Sequence, residues 1–127
     1  MIKTIRCPVY DYDLVFVSTK RDLVLAVTRI FGLDHDEAQE IREVVKATDI
    51  AGYTIGSDPC VMFAKKRDHG TIAHEAHHVA NMILSSRGIP ASRDNDEAQA
   101  YLEGWLVKHF IDPKGWERAD KCVYLNQ

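Results

Sequence analysis

The segment GTIAHEAHHVANMIL, residues 70–84, places His74, Glu75, His77 and His78 within five consecutive positions. Imidazole rings and a carboxylate are costly to bury without partners, yet Ile72, Ala73, Ala76, Val79, Ala80 and Ile83 surround them. A chemical use would explain the arrangement. Residues four apart on a helix lie about 40° apart around its axis. His74 and His78 therefore project side by side, as two imidazoles must to grip one metal ion. Glu75 is turned about 100° from His74, where it can act on a water rather than bind the metal. These are the mechanics of H-E-x-x-H on a helix: two zinc ligands and a general base. His77 breaks that register and is expected to support the ligands or to pack. The bland alternative is a helix with surface or hydrogen-bonded core histidines; the embedded glutamate argues against it.

A catalytic zinc keeps three protein ligands and one open position. A third histidine in the extended pattern would need Gly at 81 and His at 84, but Asn81 and Leu84 stand there. The inverted motif H-x-x-E-H is also absent. A glutamate from the next helix remains. Glu97 fits best, because it borders an apolar stripe that starts at Ala98 and follows His78 after one short connection. Asp96 is a shorter rival, and Glu103 is expected to point away from the stripe. Asp94 and Glu97 also have capping-box spacing, so Glu97 could serve only the helix start.

The elements that must position these groups can be read from pattern. Residues 2–17 are rich in β-branched and aromatic types and are interrupted by Pro8 and Asp11-Tyr12-Asp13, which predicts one bent strand or two short ones. Thr19 with Asp22 and Asp34 with Glu37 mark two helix starts, with Gly32 between them. The apolar face of the second helix is Ala38, Ile41, Val44 and Val45. Two short β-type runs flank the turn sequence GSDP at 56–59. A helix over 71–86 follows, stopped by Gly88 and Pro90. The last helix starts near Asp94, with Ala98, Tyr101, Leu102, Trp105, Leu106 and His109 on one stripe. Gly104 in that neighbourhood suggests close contact with another helix. Beyond Asp112 the chain reads as mostly irregular. The expected fold is α+β: a small mixed sheet with about four helices, in one domain over residues 1–127.

A formal net charge of −3 gives no electrostatic case for nucleic-acid or anionic-membrane binding, and Lys65-Lys66-Arg67 reads as a solvated edge. No run approaches the roughly 18 apolar residues of a membrane span, and MIKTIRCPVYDYD lacks a signal-peptide apolar block. A cytoplasmic protein is expected. Three cysteines (Cys7, Cys60, Cys122), with no C-x-x-C pair, argue for free thiols rather than disulfides or a cysteine zinc knuckle.

GTIAHEAHH followed by DNDEAQAYLEGWLV resembles the small phage- and prophage-type H-E-x-x-H metallopeptidase-like proteins, a minimal form of the gluzincin class, mainly over residues 60–110. The resemblance implies zinc held by His74, His78 and Glu97, with Glu75 as catalytic base, in a zincin-like core of active-site helix and glutamate helix. It implies a bacterial host cytoplasm as the setting. It also implies that the strand Cys60–Ala64 is the edge along which an extended peptide or protein substrate binds. Larger gluzincins carry a Tyr or His transition-state donor on a further domain, which is not expected in a single domain over residues 1–127. Tyr101, His77, His69 and His109 are the candidates for that role here. The function expected is peptide hydrolysis assisted by zinc; the alternative is a non-catalytic, zinc-stabilised regulatory or protein-binding module of phage origin.

Overall fold

In the computed structural model the chain forms β1 (Ile2–Cys7), β2 (Tyr12–Val17), α1 (Lys20–Ile30), α2 (His35–Ala47), β3 (Gly52–Gly56), β4 (Cys60–Ala64), α3 (His69–Ser86) and α4 (Asp96–Ile111). The structure describes residues 1–56, 58–122 and 125, so the expected turn at 56–59 includes one position, Ser57, outside them. The architecture is the expected α+β, with four helices and a four-stranded mixed sheet ordered β1-β2-β4-β3. β1 and β2 form an antiparallel hairpin, with Asp11 at φ 52 in its turn, and β3 and β4 form another. β2 and β4 run parallel at the centre, Leu14 opposite Cys60 and Val17 opposite Phe63. The parallel pair requires a crossover, and α1 and α2 supply it.

Period-two alternation divides the core into two layers. Tyr12, Leu14, Phe16, Cys60, Met62 and Ala64 face α3 and α4. Val15, Val17, Val61 and Phe63 face the other way, against Leu23, Val27 and Val45 of α1 and α2. All five residues of β4 are buried, as befits a strand covered on both faces. This corrects the expectation for Cys60–Ala64. That strand is hydrogen-bonded on both sides, to β2 and β3, and offers no edge to a peptide. The edge beside α3 is β3.

Local chemistry sets the helix ends. Thr19 Oγ1 accepts from Asp22 N at 3.1 Å. Asp34 and Glu37 form a full capping box at 2.8 and 3.2 Å. α3 starts two residues before the expected position because Asp68 caps it, accepting from Thr71 N (3.1 Å) and from the Thr71 hydroxyl (2.7 Å). Those bonds hold the Asp68 carboxyl below its ordinary pKa. Buried Lys3 reaches from β1 to the other end of the helical layer. Its Nζ donates to the carbonyls of His109 (2.6 Å) and Asp112 (3.1 Å), satisfying carbonyls at the C-terminus of α4.

α4 packs through the expected Leu102 and Leu106, with Ala98 and Trp105 partly buried beside them, but Tyr101 of the expected stripe points outward. Leu102, Leu106 and Phe110 are buried, whereas Tyr101 is 77% exposed. Gly104 is exposed, and a Cβ there would meet nothing within 4 Å, so no close helix contact depends on it. Val44 of α2 is likewise exposed. The three cysteines are free and buried, as expected. Among the described residues no helix is long and apolar enough to cross a membrane.

Candidate metal centre

α3 lies with Ile72, Ala76, Val79, Ala80 and Ile83 against the sheet, which turns His74 and His78 to its outer side. Their Nε2 atoms are 3.2 Å apart, with the rings at 78°. Two ligands of a tetrahedral zinc with Zn–N of about 2.0–2.1 Å stand about 3.3 Å apart. The pair therefore already spans one edge of that tetrahedron, and both rings are exposed, as an entry path for metal requires.

Of His74, Glu75 and His78, Glu75 alone is buried. Its Oε1 accepts from Thr54 Oγ1 on β3 at 2.9 Å, and its Oε2 lies 3.9 Å from His74 Nε2. One oxygen is anchored to the sheet edge; the other faces the histidines. Gly52 makes room for this. A Cβ at position 52 would fall 2.5 Å from Thr71 Cγ2 and 2.8 Å from Glu75 Cγ. The carboxylate also acts on Cys60: burial first, then the charge of Glu75, push that thiol up to about 12. Glu75, His78, Gly52, Thr54, Asn81 and Met82 line an open cleft of about 400 Å³ between α3 and the β3 edge.

No family model, curated protein or solved structure matches the chain. The site must be judged on its own geometry.

His77 faces α4. Its Nδ1 donates to Glu103 Oε1 at 2.5 Å, and its Nε2 accepts from Asn81 Nδ2 at 3.1 Å. Gln99 Nε2 donates to Glu103 Oε1 at 2.8 Å and to the His77 carbonyl at 3.3 Å. Both ring nitrogens are engaged, so His77 belongs to the seam between α3 and α4. This corrects the expected placement of Glu103, which sits on the α3 side of α4. Gln99 and Glu103 are polar, so an apolar template could not reveal the face they share with Leu102 and Leu106.

Glu97 is exposed in the first turn of α4, two residues from Gln99 and so about 160° around the helix from it. It does not sit at the seam. The capping box with Asp94 does not form either: Asp94 lies in a 3-10 turn, Arg93–Asn95, and the cap residue Asn95 makes no side-chain capping bond, its Nδ2 donating instead to the Pro90 carbonyl at 2.9 Å. Asp96 is also exposed. The structure thus brings His74, Glu75 and His78 together but does not close a third ligand around them. Among the described residues no group of three or more His, Cys, Asp or Glu is placed to hold a metal.

None of the four expected donor candidates lines the cleft. Tyr101 stands beside the β1–β2 turn, and His69 opens α3. The His109 ring packs on Trp105, with centroids 4.4 Å apart, and burial lowers its pKa. His77 is held as described. Sequence reasoning missed Thr54 and Gly52. The isolated glycine at the start of a β-type run was the available signal, since such a glycine often marks close approach of another group.

Proposed function

We propose that this protein is a zinc-dependent peptidase with a minimal zincin-like core, acting in the cytoplasm of a bacterial host. The observation that carries the reading is the pair of Nε2 atoms at 3.2 Å with the buried, half-anchored carboxylate of Glu75 beside them. His74 and His78 would hold the ion. Glu97 is proposed as third ligand on the resemblance: it is exposed and not spent on capping α4, and the start of α4 would have to turn it toward α3 to reach the ion, while Glu103 is committed to His77 and Gln99. When bound, zinc polarises a carbonyl and makes a water acidic near neutral pH. Glu75 accepts a proton from the attacking water and returns it to the leaving amide nitrogen. Thr54 fixes the direction of that carboxylate. An extended peptide would add to the open edge of β3 by strand pairing, which lays its backbone over the cleft beside Glu75 and His78. The test is cleavage of a peptide library by zinc-loaded protein, with and without chelator. Cleavage that chelator abolishes and zinc restores supports the reading. Zinc-dependent stability without any cleavage would assign a binding module instead.

A further inference from the structure

On the face of the sheet opposite His74 and His78, α1 and α2 leave an open groove of about 700 Å³ between them. Its floor is apolar: Val24, Leu25, Leu33, Ala38 and Val45. Its rim carries Lys20, Arg21, Arg29, Arg42 and Lys46, against one carboxylate, Asp34, which is occupied as the α2 cap. A protein of net charge −3 thus gathers five of its cations around one apolar floor. The distribution within α2 shows the same segregation. Its acids Asp36, Glu37, Glu40 and Glu43 stay out of the groove, whereas Arg42 and Lys46 line it.

The cations are concentrated at one end. α1 and α2 are joined by a short connection and run back along each other, so the first turn of α1 stands beside the last turns of α2. The 3.8 Å pair between Lys20 and Asp49 confirms that proximity. Lys20, Arg21, Arg42 and Lys46 share that end. Arg42 donates to Gln39 at 2.7 Å, while Arg21, Arg29 and Lys46 have no ion pair among the described residues. From Arg21 to Arg29 the floor runs about 12 Å along α1. Small-ligand sites have this volume and this division between an apolar wall and a few charged groups.

We infer that the α1–α2 groove binds a single-chain amphipathic anion, its carboxylate or phosphate head at Arg21, Arg42 and Lys46 and its apolar chain over Val24, Leu25 and Ala38. A one-headed ligand is favoured over an acidic peptide because three of the four rim cations without an ion pair among the described residues, Arg21, Arg42 and Lys46, stand at one end, and Arg29 alone at the other. The inference is independent of zinc chemistry.

The experiment is amide-resolved NMR titration of the full chain with decyl phosphate and with decanoate, each below micelle-forming concentration, and with decanol as the uncharged control. Saturable one-to-one binding is expected, with shifts confined to α1 and α2. Decanol should bind at least tenfold more weakly. Arg21→Glu with Lys46→Glu should weaken both anions at least tenfold, while Asp36→Lys with Glu40→Lys, outside the groove, should not weaken them. The inference fails if neither anion saturates, if decanol binds equally, or if charge reversal in the groove has no effect. It also fails if a Leu/Glu amphipathic peptide binds α1 and α2 where neither anion does, since the groove would then belong to a protein partner.

Discussion

With Oε1 of Glu75 held by Thr54, the free Oε2 is the atom that can exchange protons beside His74 and His78. Glu75→Gln keeps the shape and removes the acceptor. Hydrolysis per bound zinc should fall about 100-fold or more, with zinc content and melting temperature nearly unchanged. Equal rates for wild type and variant would remove Glu75 from the mechanism. Gly52→Ala acts on the same side chain from the same strand, two residues before Thr54. Its methyl would occupy the space of Thr71 Cγ2 and Glu75 Cγ, and Thr71 cannot turn freely because its hydroxyl is bonded to Asp68. Overpacking of this kind costs about 1–3 kcal/mol. Denaturant titration should show that loss, together with reduced hydrolysis per zinc. An unchanged protein would mean that β3 does not fix Glu75.

α4 holds its two glutamates in different surroundings. Glu103 joins His77 and Gln99 in a bonded seam, while Glu97 is exposed one turn and a half away. Glu97→Ala should therefore abolish tight zinc binding with little change in metal-free stability. Glu103→Ala should lower metal-free stability by roughly 1 kcal/mol, since His77 and Gln99 lose their shared acceptor in a partly exposed seam, and should retain zinc. Metal analysis and thermal denaturation of the two variants check both; the reverse pattern would make Glu103 the ligand. The difficulty of reading this seam from sequence has a physical cause. The expected stripe contains Leu102 and Leu106, which do pack, and Tyr101, which does not, and it omits the polar Gln99 and Glu103 that complete the seam. The motif helix was legible because its apolar positions recur without polar substitutes, and only its start was misplaced, where Asp68 caps the chain. Cys60–Ala64 carried its own correction. Five consecutive apolar residues describe a strand covered on both faces, which is seldom an edge.

At the scale of the molecule, two hairpins meet at the parallel β2–β4 pair, and the sheet separates a histidine-bearing layer from a cation-rimmed one. The α+β class, the pair of strands about residues 56–59, the capping signals at Thr19 and Asp34 and the free cysteines follow from local pattern and were readable, whereas residues 2–17 left one bent strand or two short ones open until β1 and β2 paired as a hairpin. Strand order was not, because it depends on how α1 and α2 cross the sheet, and so the role of β3 beside Glu75 was hidden. The most direct measurement is equilibrium dialysis of zinc into metal-stripped protein, for wild type and for His74→Ala with His78→Ala. The expected result is one tightly bound zinc per wild-type chain and none in the double variant, with both chains folded by circular dichroism. Wild type that takes up no zinc, or a double variant that binds it equally well, would contradict a metal centre on α3.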